Sequence, residues 1–248
     1  MMTTALKEKA ATREGSRKTV YNVRNNEKHH TEMRLRRAGG TSTKEFQFKG
    51  GKTYVGEWSG DTKHGYGTQT STSGQKYEGE WNQGNRHGKG TLWMTERGRL
   101  RKVYEGDWKN DQKDGDGIFK YRNGDTYQGT FRTNQRHGKG TMTYNERSPI
   151  LSYAGDWVDG QRNGYGVIVL QNGDRYEGHW FEDKKEGSGH YYYYATNKMY
   201  VGEWADGTAK CGEYKMAPPD AFDQDEIARL QVQETDMRLT DCMVTTCS

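Results

Sequence analysis

Three histidines are the first residues that invite a chemical reading. His64, His87 and His137 each stand ten residues after a tyrosine (Tyr54, Tyr77, Tyr127), and each is followed by a Gly-x-Gly pair. A position shared in this way invites a catalytic reading, with a metal site as the form to test. Zinc ligands, however, must converge to about 2 Å from one ion, whereas equivalent residues of successive hairpins lie about 9–10 Å apart, two strand spacings. The histidines therefore read as a polar position reused with a repeat. His29–His30 has no cysteine or carboxylate cluster at ligand spacing beside it. The Gly-x-Gly pairs lack the Lys-Ser/Thr and the strand-to-helix setting that a phosphate cradle needs, and no G-x-S-x-G is present. No catalytic residue, metal site or cofactor is expected, and the chain does not read as an enzyme.

What positions these residues is a repeat. An aromatic opens each copy at Tyr54, Tyr77, Tyr104, Tyr127, Tyr153, Tyr176 and Tyr200, at steps of 23 to 27 residues. A glycine follows two residues later. Four residues after the tyrosine comes Trp58, Trp81, Trp108, Phe131, Trp157, Trp180 or Trp204. Paired glycines sit at +11 and +13 in six copies, from Gly65 and Gly67 to Gly187 and Gly189, while the last copy has Cys211 and Glu213 there. The longer steps contain "TERGRLRKV" and "NERSPILS", read as loop insertions.

Alternation along a strand puts Tyr77, Gly79 and Trp81 on one face and Glu78 and Glu80 on the other. A bare glycine between two rings gives clearance for neighbours, and the +11 and +13 glycines would give the same on the returning strand. Turn signals fall near +6 ("NQGN", "VDGQ") and between copies ("RNGDT", "QNGDR"), where Asn-Gly signals a two-residue hairpin. The unit is a β-hairpin. Seven of them predict an all-β, elongated, single-layer antiparallel sheet of about 14 strands, roughly 65–70 Å across.

Composition agrees with an open sheet. Only 30% of the 248 residues are hydrophobic, with 33 glycines and a mean hydropathy of -1.23, too little for a thick core. Yet 17 Tyr and 7 Trp are too many for a solvated chain. No run approaches 18 apolar residues, so no membrane-spanning helix is expected, and the N-terminus lacks a secretory signal. Cys211, Cys242 and Cys247 read as reduced intracellular thiols, and "TTCS" is not a prenylation box.

Charge divides the chain into three. Residues 1–45 carry a net +6, residues 46–215 a net +3 and residues 216–248 a net -5: a basic extended arm, the repeat sheet and an acidic tail. In the arm, Arg34, Arg36 and Arg37 form a basic cluster flanked by Tyr21, Val23, Met33 and Leu35, which suits ordering against a protein partner rather than nucleic acid. "KEFQFKGGK" is placed to start the sheet. Residues 222–239 predict one short helix, docked back on the last hairpin as a cap on the open edge.

Within the sheet, position +9 is basic at Lys63, Arg86, Lys113, Arg136, Arg162 and Lys185, and +3 is acidic in five copies. With a turn near +6, these positions face each other as cross-strand ion pairs, each worth a few tenths of a kcal/mol. The other reading is a row of cations about every 10 Å along one face, available to an acidic filament or to anionic lipid.

"Y-x-G-x-W … H-G-x-G" at this spacing, over residues 54 to about 213, resembles the MORN (membrane occupation and recognition nexus) repeat. The altered last copy, "YVGEWADGTAKCGEY", and the acidic tail behind it are similar to the short MORN-repeat proteins of animal sperm and motile cilia. That resemblance implies a structural protein of the ciliary or flagellar axoneme, in the cytoskeleton, bracing the doublet microtubule, with tubulin and neighbouring axonemal proteins as partners. The family also implies an alternative, an adaptor that docks peptide segments of signalling partners across the aromatic rows or binds anionic lipid. The oligomeric state is open.

Overall fold

The structure is a computed structural model that describes residues 44–222. The expected helix over 222–239 and the arginines Arg34, Arg36 and Arg37 lie outside the described residues, apart from Phe222 at the boundary. What remains is a single antiparallel sheet of 15 strands in sequence order, each pairing only with its neighbours in the chain. A short strand β1 (Lys44–Gln47) precedes the first hairpin, β2 (Thr53–Ser59) and β3 (Thr62–Thr70). Then follow β4 (Gln75–Asn82), β5 (Asn85–Glu96), β6 (Arg99–Lys109), β7 (Gln112–Lys120), β8 (Thr126–Arg132) and β9 (Gln135–Thr143). The last three hairpins are β10 (Ile150–Val158) with β11 (Gln161–Leu170), β12 (Arg175–Phe181) with β13 (Lys184–Tyr193), and β14 (Lys198–Ala205) with β15 (Thr208–Met216). β1 starts the sheet inside "KEFQFKGGK", at Lys44, within the stretch assigned to the arm.

Turn chemistry differs from the sequence reading. Six of the seven intrahairpin turns place two successive residues at positive φ, from Gln83–Gly84 to Asp206–Gly207, and three of them, Asn110–Asp111, Thr133–Asn134 and Glu182–Asp183, do so without glycine. This is the mirror-image turn whose twist matches the flanking strands. The Asn-Gly signals between copies mark longer loops. Tyr121 N–H donates to the Asp125 carbonyl at 2.9 Å across three residues, with Gly124 at φ +99, and Leu170 and Asp174 close the same loop around Gly173. "TERGRLRKV" is not a loop: it lengthens β5 and β6 around a turn at Arg97–Gly98. Glu96 holds the extension, ion-paired to Arg101 at 3.1 Å and Arg122 at 2.7 Å.

One face of this single layer is a core. Tyr54, Tyr104, Tyr127, Tyr153 and Tyr176 have no exposed surface, and Trp81, Trp108, Phe131, Trp157 and Trp180 are at most 5% exposed. The aromatic rows are thus buried rather than open. The rings bury each other, each tyrosine lying edge-on to its own tryptophan and to the one in the next hairpin. Tyr77 is 5.1 Å from Trp81 and 5.3 Å from Trp108, with interplanar angles of 87° and 85°. The pattern runs from Trp58 to Trp204. Each such contact is worth about 0.5–1.5 kcal/mol beyond the area it buries.

Candidate functional site

The repeat's polar residues are fixed by one irregularity. Opposite Glu57 of β2 stand three residues of β3, because Gly56 pairs with Gly67 and Trp58 with Lys63. The same bulge recurs in the next five hairpins. It brings the +9 cation opposite the +4 ring, not opposite the +3 acid. The expected +3/+9 ion pairs are therefore absent from the register.

Each glycine has its own task in this geometry. The +2 and +13 glycines pair across the hairpin beneath the tyrosine ring. A methyl group at Gly67 would lie 2.5 Å from Tyr54 Cε2. The ring crosses both strands, and its hydroxyl donates to the +3 carbonyl, as in Tyr54 to Glu57 at 3.0 Å and Tyr104 to Asp107 at 2.8 Å. The +11 glycine gives clearance to the +3 side chain rather than to a ring: an added Cβ at Gly115 would lie 2.7 Å from Asp107 Cβ and one at Gly164 2.8 Å from Asp156 Cβ. It is the bulge residue, with φ from +59 to +111 in six copies, a region that L side chains occupy at a cost. Its curl lets the +3 carboxylate accept the following amide: Tyr66 N–H to Glu57 at 3.1 Å, Asp116 to Asp107 at 2.9 Å and Tyr165 to Asp156 at 3.0 Å. The signal for this was in the sequence, since the +3 acid and the +11 glycine coincide in four copies. Lys89 pairs with Asp107 at 2.6 Å and Lys139 with Asp156 at 3.0 Å, joining consecutive hairpins.

The +9 cations are the second joint between hairpins. Lys63 Nζ lies 3.6 Å from the centre of the Trp81 ring. Arg86 stands 4.1 Å from Trp108, Arg136 4.1 Å from Trp157, Arg162 4.3 Å from Trp180 and Lys185 4.5 Å from Trp204, always one hairpin onward. Lys113 meets Phe131 at 5.4 Å and Phe119 at 4.3 Å. Two of the arginines also grip an aspartate of the next turn, Arg86 to Asp111 and Arg162 to Asp183, both at 2.9 Å. Meanwhile the +9 carbonyls accept the +7 amides of the next hairpin, as in Gly84 to Lys63 and Asn134 to Lys113, both at 2.9 Å. Burial pushes Lys63 and Lys185 down to about 8, and it lowers Lys113 as well. These side chains sit on the rings and hold hairpin to hairpin.

His64, His87 and His137 lie in separate bulges, and among the described residues no group of three or more His, Cys, Asp or Glu could hold a metal ion. No described helix is long and apolar enough to cross a membrane.

The last hairpin departs from the template in the stretch around Cys211 that the sequence marked, by a shortened bulge. Gly202 pairs with Gly212, so the second glycine is present one residue early, and the bulge has lost a residue. Trp204 Nε1 is buried without a partner, whereas Trp81, Trp108, Trp157 and Trp180 donate to the +13 glycine carbonyl of the preceding hairpin at 3.0–3.1 Å. Cys211 is a free, exposed thiol. Beyond Met216 the chain turns back onto the face away from the rings, where Ala217 and Ala221 are buried with Tyr192 and Met199. The edge strand β15 itself is exposed along its whole length.

No curated protein matches the chain. A family model, the MORN repeat, matches residues 54–76, 77–95, 104–126, 127–147, 153–175 and 176–195, and the hairpin from Tyr200, with its shortened bulge, lies outside those segments. Each of the six matched segments opens on a tyrosine of the ring ladder, and together they cover more than half of the chain; it belongs to the MORN-repeat family and is a repeat-built binding or structural protein.

Proposed function

We propose that the chain is a non-enzymatic structural protein of the ciliary or flagellar axoneme. It braces the doublet microtubule, as an inner protein or on its wall, by contacts with tubulin and neighbouring axonemal proteins. One observation carries this reading: every hairpin is joined to the next by a ring, a cation and a backbone bond, so the sheet holds together as a single layer, and among the described residues no second layer covers the rings. Such a plate can lie between other proteins and expose two surfaces to them. The organelle rests on the likeness of the altered last copy and the acidic tail to the short ciliary members of the family. Docking of peptides across the aromatic rows is disfavoured, since those rings are already buried against one another.

Sequential extraction of isolated motile cilia, followed with an antibody to this chain, tests the proposal. Retention through mild detergent and high salt, with release only when doublets are destabilised, is the expected result. Release by detergent would instead favour a membrane adaptor, and absence from cilia would overturn the axonemal reading.

A further inference from the structure

The first hairpin breaks the template at one position on the ring face. Fifteen residues after the opening tyrosine, the second to sixth copies carry Leu92, Phe119, Met142, Ile168 and Tyr191, all packed against the ring core. The first copy has Gln69 there. Gln69 stands between Tyr54 and Tyr77 in the register, where an apolar side chain would close the surface beside the rings. It instead accepts a hydrogen bond from Lys63 Nζ at 2.8 Å.

A cavity of about 280 Å³ lies at this place, lined by three cations (Lys52, Lys63 and Arg86), one acid (Asp111), the amides of Gln69 and Gln75 and the rings of Tyr77 and Trp81. The acid is already taken. Its carboxylate is 2.9 Å from Arg86 Nε, and its carbonyl accepts Arg86 Nη2 at 2.8 Å. Among the described residues no carboxylate forms an ion pair with Lys52 or Lys63. Burial, and then the charge of Lys52, bring the Lys63 ammonium down from the ordinary lysine range to about 8. Positive charge is thus in excess in a partly desolvated space. An anion entering between the two lysines relieves their repulsion and gains charge-assisted hydrogen bonds.

The lining also selects the anion. A guanidinium fork is the group best shaped for phosphate, and the one fork here is engaged by Asp111. Two ammonium groups and two amides remain, beside aromatic rings. That set suits a carboxylate whose methylene stem rests against the rings.

We propose that this cavity seats a glutamate or aspartate side chain from an acidic segment of a partner protein. Lys52 and Lys63 hold the carboxylate, and Gln69 keeps the Lys63 ammonium at the cavity. The first hairpin is then the end of the sheet that grips an acidic partner, because in the later copies an apolar side chain fills the same place. The seat does not depend on where in the cell the chain works, so its failure would leave the axonemal proposal standing.

Carbodiimide coupling of hexaglutamate to the full-length chain, with the coupled lysines mapped by mass spectrometry, tests this. Each yield is divided by the acetylation of the same lysine with acetic anhydride, which removes differences in amine reactivity. Lys109 is exposed and lies outside the cavity. Expected is a normalised yield at Lys52 at least about tenfold above that at Lys109, the worth of one charge-assisted hydrogen bond. Gln69→Leu restores the side chain of the second copy and leaves every charge in place. It should cut the Lys52 yield at least about fivefold while the melting temperature holds, and Lys63→Met should cut it as far. Equal normalised yields at Lys52 and Lys109 would overturn the proposal, as would a Lys52 yield untouched by both substitutions. Suppression of the coupling by inorganic phosphate, but not by sodium chloride of the same ionic strength, would also overturn it and make the cavity an oxoanion site.

Discussion

The guanidinium carbon of Arg86 lies 4.1 Å from the centre of the Trp108 ring, in the hairpin after its own, and Arg86 Nε lies 2.9 Å from Asp111 of that same hairpin. A cation over a partly desolvated indole is worth about 1–2 kcal/mol. A double-mutant cycle of Arg86→Met with Trp108→Leu should therefore give a coupling of about 1 kcal/mol in urea unfolding. The cycle of Arg86→Met with Glu80→Gln should give almost none. Coupling to Glu80 instead would restore the intrahairpin ion pair and contradict the bulge. Trp108→Ala alone should cost about 3–5 kcal/mol, as loss of a buried ring does.

Two glycines two residues apart should answer differently to the same methyl group. At Gly90 an added Cβ falls 2.5 Å from Tyr77 Cζ, and the ring is held from the other side by Trp81 and Trp108. At Gly88 the neighbour is the Glu80 side chain, which is free to swing, so the penalty comes from φ +59. Gly90→Ala should cost about 3 kcal/mol or more, in the range of overpacked cores, and Gly88→Ala about 1–2 kcal/mol, the cost of a left-handed alanine. Chemical denaturation of both variants checks the order. Equal losses would mean that the tyrosine ring is not wedged on the glycine pair.

The hairpins, the ring face and the strand that precedes Tyr54 were legible because a period repeated seven times leaves few alternatives. Tyr77, Gly79 and Trp81 share a face by simple alternation. The partners of the +9 cations were not legible. A turn near +6 puts Arg86 opposite Glu80 if the strands are regular, and only the bulge at His87, Gly88 and Lys89 moves it opposite Trp81 and toward Trp108. The same bulge explains why Gly212, one position early, was read as a missing glycine.

Stability should pass through a maximum on the alkaline side. Lys63 and Lys185, at about 8 in the folded chain, lie below the ~10.4 of an unfolded lysine. Below pH 8 both states are protonated and the cost of the buried charges is fully present. Between 8 and about 10 the folded state sheds its protons first, so stability rises. Burial, as the largest cause, raises the hydroxyls of Tyr54, Tyr77, Tyr104, Tyr127 and Tyr176 far above the ordinary phenol range. Their contribution is intact below pH ~10 and lost above it, as the unfolded chain gives up protons that the folded one keeps. Melting temperature should climb from pH 8, then collapse above about 10, with the phenolate absorbance of these five ring tyrosines appearing only as the sheet unfolds. Lys63→Met with Lys185→Met should flatten the climb and leave the collapse.

Phe131 is the one place in the middle of the ladder where the second ring is not an indole, which makes it a test of the template. Four tryptophans at this position donate Nε1–H to the +13 glycine carbonyl of the preceding hairpin. Phe131 has no such donor to offer Gly117, and the cation above it, Lys113, sits 5.4 Å away, against 3.6 Å for Lys63 over Trp81. Phe131→Trp adds the hydrogen bond, worth about 1 kcal/mol, and a stronger face for Lys113. The slot already holds Tyr104 and Tyr127 at 5.3 and 5.1 Å, nearly the spacing around Trp108, so the larger ring enters a space of the right size. The variant should be more stable by about 1 kcal/mol in urea unfolding, with an unchanged slope against denaturant. A loss would mean that the hairpin around Phe131 is packed to the smaller ring, so that the seven copies are not interchangeable units.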